Sequence, residues 1–311
     1  MTPEKDAKNP LIILPCSPND SQSFGVKISE QNTHTFSTYL ELSTIQRLVR
    51  RFHSRLHLPF FRIWYGPWKS NMPRNSTIIL FDILLSPNII YYISKKNRKK
   101  NNRLIFWFWN PVREEYLKPL RKNDWEIWTF DKSEAERYYL NYNTQFYFNS
   151  FQPSSNEIKN DVLFVGRDKG RREYLQFLQQ EFKRQGLDNH FFISKNLKWY
   201  EKLSKTAGNY MPYQSVLDLI GTSRAILDIV QDGQTGLTRR PLEALFLDRK
   251  LITNNQDIEN YDFYDKQNIF ILGKDDLSKI APFIHSPMKH IPQEVKNYYD
   301  FSEWLKRFGL S

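Results

Sequence analysis

Apolar positions along this chain follow two alternating periods. Runs dense in β-branched and aromatic residues, such as Thr77 to Asp82, Arg103 to Trp109 and Trp125 to Phe130, read as buried strands. Between them lie segments with helical signals: Pro87 stands at the first position of a helix reaching Ser94, and Asp131, with Glu134 three residues on, caps another. Asn110-Pro111 stops the second strand, and Thr144 to Phe148 reads as extended again. The rhythm then repeats: a strand at Val162 to Val165, a helix on Tyr174, Leu175, Leu178 and Phe182 closed by Gly186, and a strand from His190 to Ile193. Next come a helix on Tyr213, Val216, Leu217 and Ile220 stopped by Gly221, a strand at Ala225 to Val230, a helix at Pro241 to Leu247 and a strand at Leu251 to Thr253. Val295 to Phe308 predicts a closing helix rich in aromatic residues.

Strand and helix in alternation define an α/β protein with parallel sheets. The polar stretch Phe151 to Asn160 has no apolar period and reads as a linker. The expected architecture is two Rossmann-like, doubly wound domains facing a cleft. Residues 1–150 form the first and 151–311 the second, with the closing helix packing back on the first.

Composition narrows the class. With 311 residues, 40% of them hydrophobic and 25% charged, the chain can bury a sizeable core. A single cysteine, Cys16, excludes an internal disulfide frame and leaves no zinc-type spacing, which points to a reducing, cytoplasmic setting. The apolar run Leu11 to Leu14 is too short for a signal-peptide core. The longest apolar stretch, Ile78 to Ile93, is broken by Asp82 and Ser86-Pro87-Asn88, so no spanning helix is expected. Of the net charge of +11, the first 150 residues hold +9. A basic face of that kind attracts phosphates of nucleic acid or lipid headgroups, or serves solubility alone.

In open α/β sheets ligands bind beyond the carboxyl ends of the strands, so the loops after Val165, Val230 and Thr253 are where chemistry is expected. The first, Gly166-Arg167-Asp168-Lys169-Gly170-Arg171, combines glycines that let backbone approach a ligand with cations and the start of a helix, the outline of a diphosphate cradle. It is not a P-loop, since no Gly-Lys-Ser/Thr follows; a solvated strand-to-helix turn is the plain alternative. The second runs Gln231-Asp232-Gly233-Gln234-Thr235-Gly236-Leu237-Thr238 into Arg239-Arg240-Pro241-Leu242-Glu243. Its glycines and hydroxyls supply donors, and Pro241 starts a helix with Glu243 in its first turn. A carboxylate there accepts both hydrogen bonds of a ribose diol, or simply complements the helix dipole.

Together, Val165-Gly166-Arg167 with Lys169, Gly233 to Leu237, Pro241-Leu242-Glu243-Ala244 and Lys250 to Asn254 resemble the C-terminal domain of GT-B-type glycosyltransferases of bacterial surface-polysaccharide loci, over about Asp161 to Gly273. The resemblance implies that Arg167 and Lys169 bind a donor diphosphate and Glu243 its ribose. The wider donor set is Gly166, Gly170, Tyr213, Asp232, Gly233, Gln234, Thr235, Gly236, Leu237, Thr238 and Arg240. Retaining members carry two glutamates separated by seven residues. Here Thr235 stands at the upstream position, with Asp232 and Gln234 the nearest polar substitutes, and stereochemistry stays open. No Asp-x-Asp pair is present, so a metal-free site with a nucleotide-sugar co-substrate and no cofactor is expected. Fixed cations then stabilise the leaving diphosphate. Met211, Pro212 and Tyr213 are candidates to lie against the nucleobase, although the helical spacing of Tyr213 favours a core aromatic. For an inverting transfer, Asp82 is the candidate base, ahead of Asp20, His34 and His53; a buried structural role explains Asp82 as well.

The first half adds a capping box, Ser43-Thr44-Ile45-Gln46, followed by Ile45, Leu48, Val49, Phe52 and Leu56 at helical spacing with Arg47, Arg50, Arg51 and Arg55 among them. From Leu42 to Phe81 there are seven basic residues and no acidic one, and Lys95 to Arg103 holds a second cluster. The helix either packs on a core with a solvated basic side or meets an anionic membrane surface, as a lipid-linked glycan acceptor would require. Peripheral attachment to the inner face of the cytoplasmic membrane follows from the latter. Two alternatives of other classes are a non-catalytic carbohydrate- or nucleotide-binding module and a nucleic-acid-binding protein. The second ranks lower, as no zinc finger, helix-turn-helix or RNP signature accompanies the basic runs.

Overall fold

Runs of Ile, Leu and Phe buried along their whole length pair only with parallel neighbours, and a computed structural model arranges them in two sheets. It describes residues 10–14, 24–32, 34–56, 58–82, 88–194, 211–230 and 236–310. The chain divides into two units, residues 1–144 with 304–311 and residues 145–303. This is an α/β protein built on two parallel sheets.

The first unit contains β1 (Leu11–Leu14), α1 (Phe24–Gln31), β2 (Thr35–Ser37), α2 (Thr44–Arg55), β3 (Thr77–Phe81), α3 (Asn88–Asn97), β4 (Arg103–Phe108), α4 (Glu114–Arg121), β5 (Glu126–Thr129), α5 (Lys132–Tyr138) and β6 (Asn141–Tyr142). Its sheet runs β2-β1-β3-β4-β5-β6, with Ile12 opposite Ile79 and Ile78 opposite Leu104. Every residue of β1 and β3 is buried, as expected of strands covered on both faces. The Ser43 capping box is complete, and Asp131 caps α5 by accepting from the Glu134 N–H. Trp304 and Phe308, from the end of the chain, complete this core. Trp304 packs on Phe81 and Trp107, and its carbonyl accepts from Asn143 Nδ2 at 3.1 Å.

The second unit contains β7 (Asn160–Arg167), α6 (Arg172–Arg184), β8 (Asn189–Ser194), α7 (Tyr213–Gly221), β9 (Ser223–Asp228), α8 (Arg239–Phe246), β10 (Lys250–Thr253), β11 (Ile269–Ile271), α9 (Ile280–His285) and α10 (Gln293–Tyr298); α11 (Phe301–Lys306) carries the chain back to the first unit. Its sheet runs β11-β10-β9-β7-β8. The stretch 151–160 lies within this unit, where the Ser154 N–H donates to Asp218 Oδ1 at 2.7 Å. Among the described residues no helix is long and apolar enough to cross a membrane.

Two elements differ from the sequence reading. Thr144 to Phe148 is not a sheet strand, because Tyr147 pairs instead with the end of the chain. Its N–H donates to the Tyr299 carbonyl at 2.8 Å and its carbonyl accepts from the Phe301 N–H at 2.9 Å. The closing helix is two helices, broken at Asp300. That carboxylate accepts from the backbone N–H and hydroxyl of Ser302, starting α11 afresh.

Candidate functional site

In each sheet the strand order reverses at one place. In the second unit β8 lies on one side of β7 and β9 on the other, so the switch point lies between the carboxyl ends of β7 and β9. In open α/β sheets such a point is where adjacent loops leave in opposite directions and ligands bind. The described residues there are those after Val165, Asp228 at the end of β9, and Thr238 and Arg240 at the start of α8.

The β7 turn is tight. Lys169 and Gly170 both adopt left-handed backbone, with φ of 49° and 82°. The Asp168 N–H donates to the Ser194 carbonyl at 3.0 Å and the Ser194 hydroxyl to the Gly166 carbonyl at 3.3 Å, pinning the turn to β8. Asp168 accepts from Arg172 Nε at 2.9 Å; this contact, together with the backbone N–H groups of Gly170 and Arg172, holds its carboxyl below the usual range. The first turn of α6 is thus already engaged by the chain's own carboxylate, and the anion-attracting groups of this loop are its side-chain cations. Arg167 and Lys169 are exposed, and Arg171 lies over the Phe164 ring. Partial loss of hydration against the turn first, then the proximity of Arg171 and Arg167, holds the Lys169 ammonium below its usual range. Like charges crowded in this way are relieved by an anion.

The α8 side is joined to this turn. Arg240 Nη2 donates to the Val165 carbonyl at 2.9 Å, and Nη1 forms an ion pair with Glu243 Oε2. Glu243 is fully buried, and its other oxygen accepts from the Tyr213 hydroxyl at 2.9 Å, which is itself 2.8 Å from the Tyr147 hydroxyl. At the end of β9, Asp228 Oδ2 accepts from the Thr238 hydroxyl at 2.8 Å, and Thr238 Oγ1 caps α8 through the Arg240 N–H. Burial pushes the Asp228 carboxyl up to about 6, against the pull of Thr238, Arg240 and Arg171.

The structure therefore brings Gly166, Arg167, Lys169 and Gly170 together with Thr238, Arg240 and Glu243. Asp232, Gly233, Gln234 and Thr235 lie outside the described residues. Gly236 and Leu237 are buried, Leu237 as a core side chain. Tyr213 is also in the core, its ring against Phe151 and its hydroxyl on Glu243, with the Arg239 guanidinium 5.4 Å from the ring centroid. Sequence reasoning passed over Asp228 and took Arg171 only as one cation of the turn, without assigning it a binding role. An Asp closing an apolar strand at a switch point was the available signal for the first, and its place at the end of the Gly-rich turn for the second.

The first sheet reverses between β1 and β3, and Asp82 follows β3 at that point. It is buried, accepting from the Trp109 N–H at 3.2 Å and from Asn110 Nδ2 at 2.7 Å, so it ties β3 to the loop after β4. Burial raises its carboxyl to about 6, with Asn110 as the main opposing influence. Of the weaker base candidates, Asp20 lies outside the described residues, and His53 is engaged by Trp64 Nε1 at 3.0 Å.

No protein-family model matches the chain, and no curated protein matches it in sequence. Among solved structures, TarM aligns over 76% of this chain with a TM-score of 0.49 and 10% identity; the chain spans about half of TarM, 54% of its length. Anabaena Alr3699/HepE, solved in complex with UDP, aligns over 92% of this chain and 88% of its own, with a TM-score of 0.45 and 9% identity.

Proposed function

We propose that this chain is a GT-B-type glycosyltransferase that moves a sugar from a nucleotide donor to a glycan acceptor, the acceptor lipid-linked and the pathway one of surface-polysaccharide synthesis inside the cell. The observation that carries the reading is the cationic turn at the switch point of the second sheet, where Arg167, Lys169 and Arg171 follow β7 and Arg240 of α8 is hydrogen-bonded to the Val165 carbonyl. In the transfer, the acceptor hydroxyl oxygen bonds to the anomeric carbon as the bond from that carbon to the diphosphate breaks. The departing diphosphate carries the charge that these cations stabilise, with no metal or cofactor taking part. Glu243 serves the site through Arg240, holding the guanidinium between Val165 and α8. On the acceptor side Asp82 is the candidate base, its carboxyl lifted toward the pH at which a general base operates.

A thermal-shift screen of UDP, GDP, CMP and TDP sugars tests the donor site, since a ligand bound only by the native state raises its apparent stability. One nucleotide class is expected to stabilise the protein, and Lys169→Ala to abolish that shift. Transfer from the same donor, persisting in EDTA, separates an enzyme from a binding module. If no nucleotide stabilises the chain, the reading fails.

A further inference from the structure

Helix α2 is amphipathic in the opposite sense to a helix that covers a core. Ile45, Val49, Phe52 and Leu56 recur at intervals of four, three and four and share one face, and they are 73%, 50%, 63% and 64% exposed. Its polar side fastens it to the unit. The Arg50 guanidinium lies 3.9 Å from the Tyr39 ring centroid, and His53 accepts from Trp64 Nε1 while its ring stands edge-on to Phe61 at 5.3 Å. His53 Nε2 also lies 2.9 Å from the Pro59 carbonyl, fixing the turn that follows. That turn exposes Leu58, Phe60 and Ile63, and Phe60 holds a φ of 65°, a left-handed conformation that costs a bulky residue energy. Within residues 42–81, which carry this surface, charge has one sign, with Glu41 the nearest acid in the chain before it. Arg47, Arg51, Arg55 and Arg62 are exposed, and no Asp or Glu occurs between Leu42 and Phe81. The second basic cluster is tied to the segment that follows this turn, with Lys96 donating to the Lys69 carbonyl at 2.9 Å and Lys100 to that of Met72.

We propose that this face is a membrane-seating surface: the α2 stripe and the 58–63 turn sink into the headgroup–acyl boundary of an anionic bilayer, and the arginines around them engage lipid phosphates. Charge complementarity selects this occupant. A second copy of the chain would bring two cationic rims together, and a nucleic acid would use the arginines but leave a contiguous apolar face in water. The inference is scored on lipid binding with no donor present, so it stands or falls separately from the transfer reading.

Co-sedimentation of the full chain with phosphatidylcholine vesicles, with and without phosphatidylglycerol, tests it. Wild-type protein should pellet with the anionic vesicles and release as salt rises. The variant Ile45→Ser/Phe52→Ser/Leu56→Ser should lose more than about tenfold in partitioning, and Arg47→Gln/Arg51→Gln/Arg55→Gln should lose the preference for phosphatidylglycerol. A probe that keeps most of the apolar face is Phe52→Cys in a Cys16→Ser background, labelled with an environment-sensitive dye whose emission should shift blue on the anionic vesicles. Absence of pelleting at low salt overturns the proposal, as does pelleting that the serine variant leaves unchanged or a dye that stays in water. A solution dimer dissolved by the serine variant, or oligonucleotide binding that it leaves intact, in either case without vesicle binding, would also overturn it.

Discussion

Arg240 and Glu243 share one turn of α8, and their pairing is sealed: the carboxylate has no exposure, and Tyr213 occupies its second oxygen. Removing one partner of such a pair leaves an uncompensated buried charge, at a cost of about 3–5 kcal/mol. Glu243→Ala should therefore lower the unfolding midpoint in urea sharply, and the double variant Arg240→Met/Glu243→Leu should recover much of the loss. Equal midpoints for wild type and Glu243→Ala would mean that the carboxylate faces a ligand rather than the core. Asp228 behaves differently because burial raises its carboxyl from 3.8 to about 6. The unfolded chain loses this proton first, so stability falls as pH rises from about 4 to about 6, and the deficit of about 3 kcal/mol then stays constant above that window. Asp228→Asn keeps an acceptor for the Thr238 hydroxyl and removes the titration. The variant should gain stability over wild type as pH climbs through the window, and the two curves should converge below pH about 4, as thermal melts across pH would record.

Gly221 shows how an element's end is set by its neighbour. It lacks the positive φ of a helix-stopping glycine. A Cβ there would instead fall 2.3 Å from the Ser155 carbonyl oxygen and 2.5 Å from Pro153 Cβ, so the close approach of the 153–155 segment requires its absence. Helix propensity alone predicts that Gly221→Ala stabilises α7 by about 1 kcal/mol. The clash reverses the sign, and the melting temperature should fall by an amount corresponding to about 1–3 kcal/mol. A rise would show that the neighbouring segment yields. The same distinction between pattern and packing governs what could be read in advance. Strands β3, β4, β7 and β9 were legible because unbroken apolar runs have few other uses, whereas β2 and β11, three residues each, carry too little pattern to stand out. The α2 capping box was readable in Ser43 and Gln46, but periodicity reveals that a helix has an apolar face and not what lies against it. At the site, the turn after Val165 and the start of α8 announced themselves through Gly, Pro and charge. The burial of Glu243 did not, because it depends on Tyr213 and Tyr147, far away in the chain.

At the scale of the molecule, the chain leaves the first unit after Thr144 and returns at Trp304, so that unit is not made from one continuous stretch. The returning segment is built in. Trp304 is fully buried among Phe81, Trp107 and Phe308, Arg307 donates to Asn143 Oδ1 and Thr144 Oγ1 at 2.7 Å each, and Arg103 reaches the Phe308 carbonyl. Replacing such a tryptophan by alanine removes its transfer energy and leaves a cavity, about 3–5 kcal/mol in comparable cores. That loss falls on the sheet it covers. In Trp304→Ala, amide exchange should rise in β3, β4 and β5, by a factor of about 100 or more if those strands exchange only through opening of the unit. Exchange in β7 and β9, whose core is formed by Leu175, Leu178, Phe182 and Ile252, should stay as in wild type. Deuterium labelling of the whole chain followed by quenched peptic digestion and mass spectrometry of the peptides reads both sheets in one experiment. A uniform rise across the two would mean that they unfold together as one cooperative body, and that the two units have no separate energetic identity.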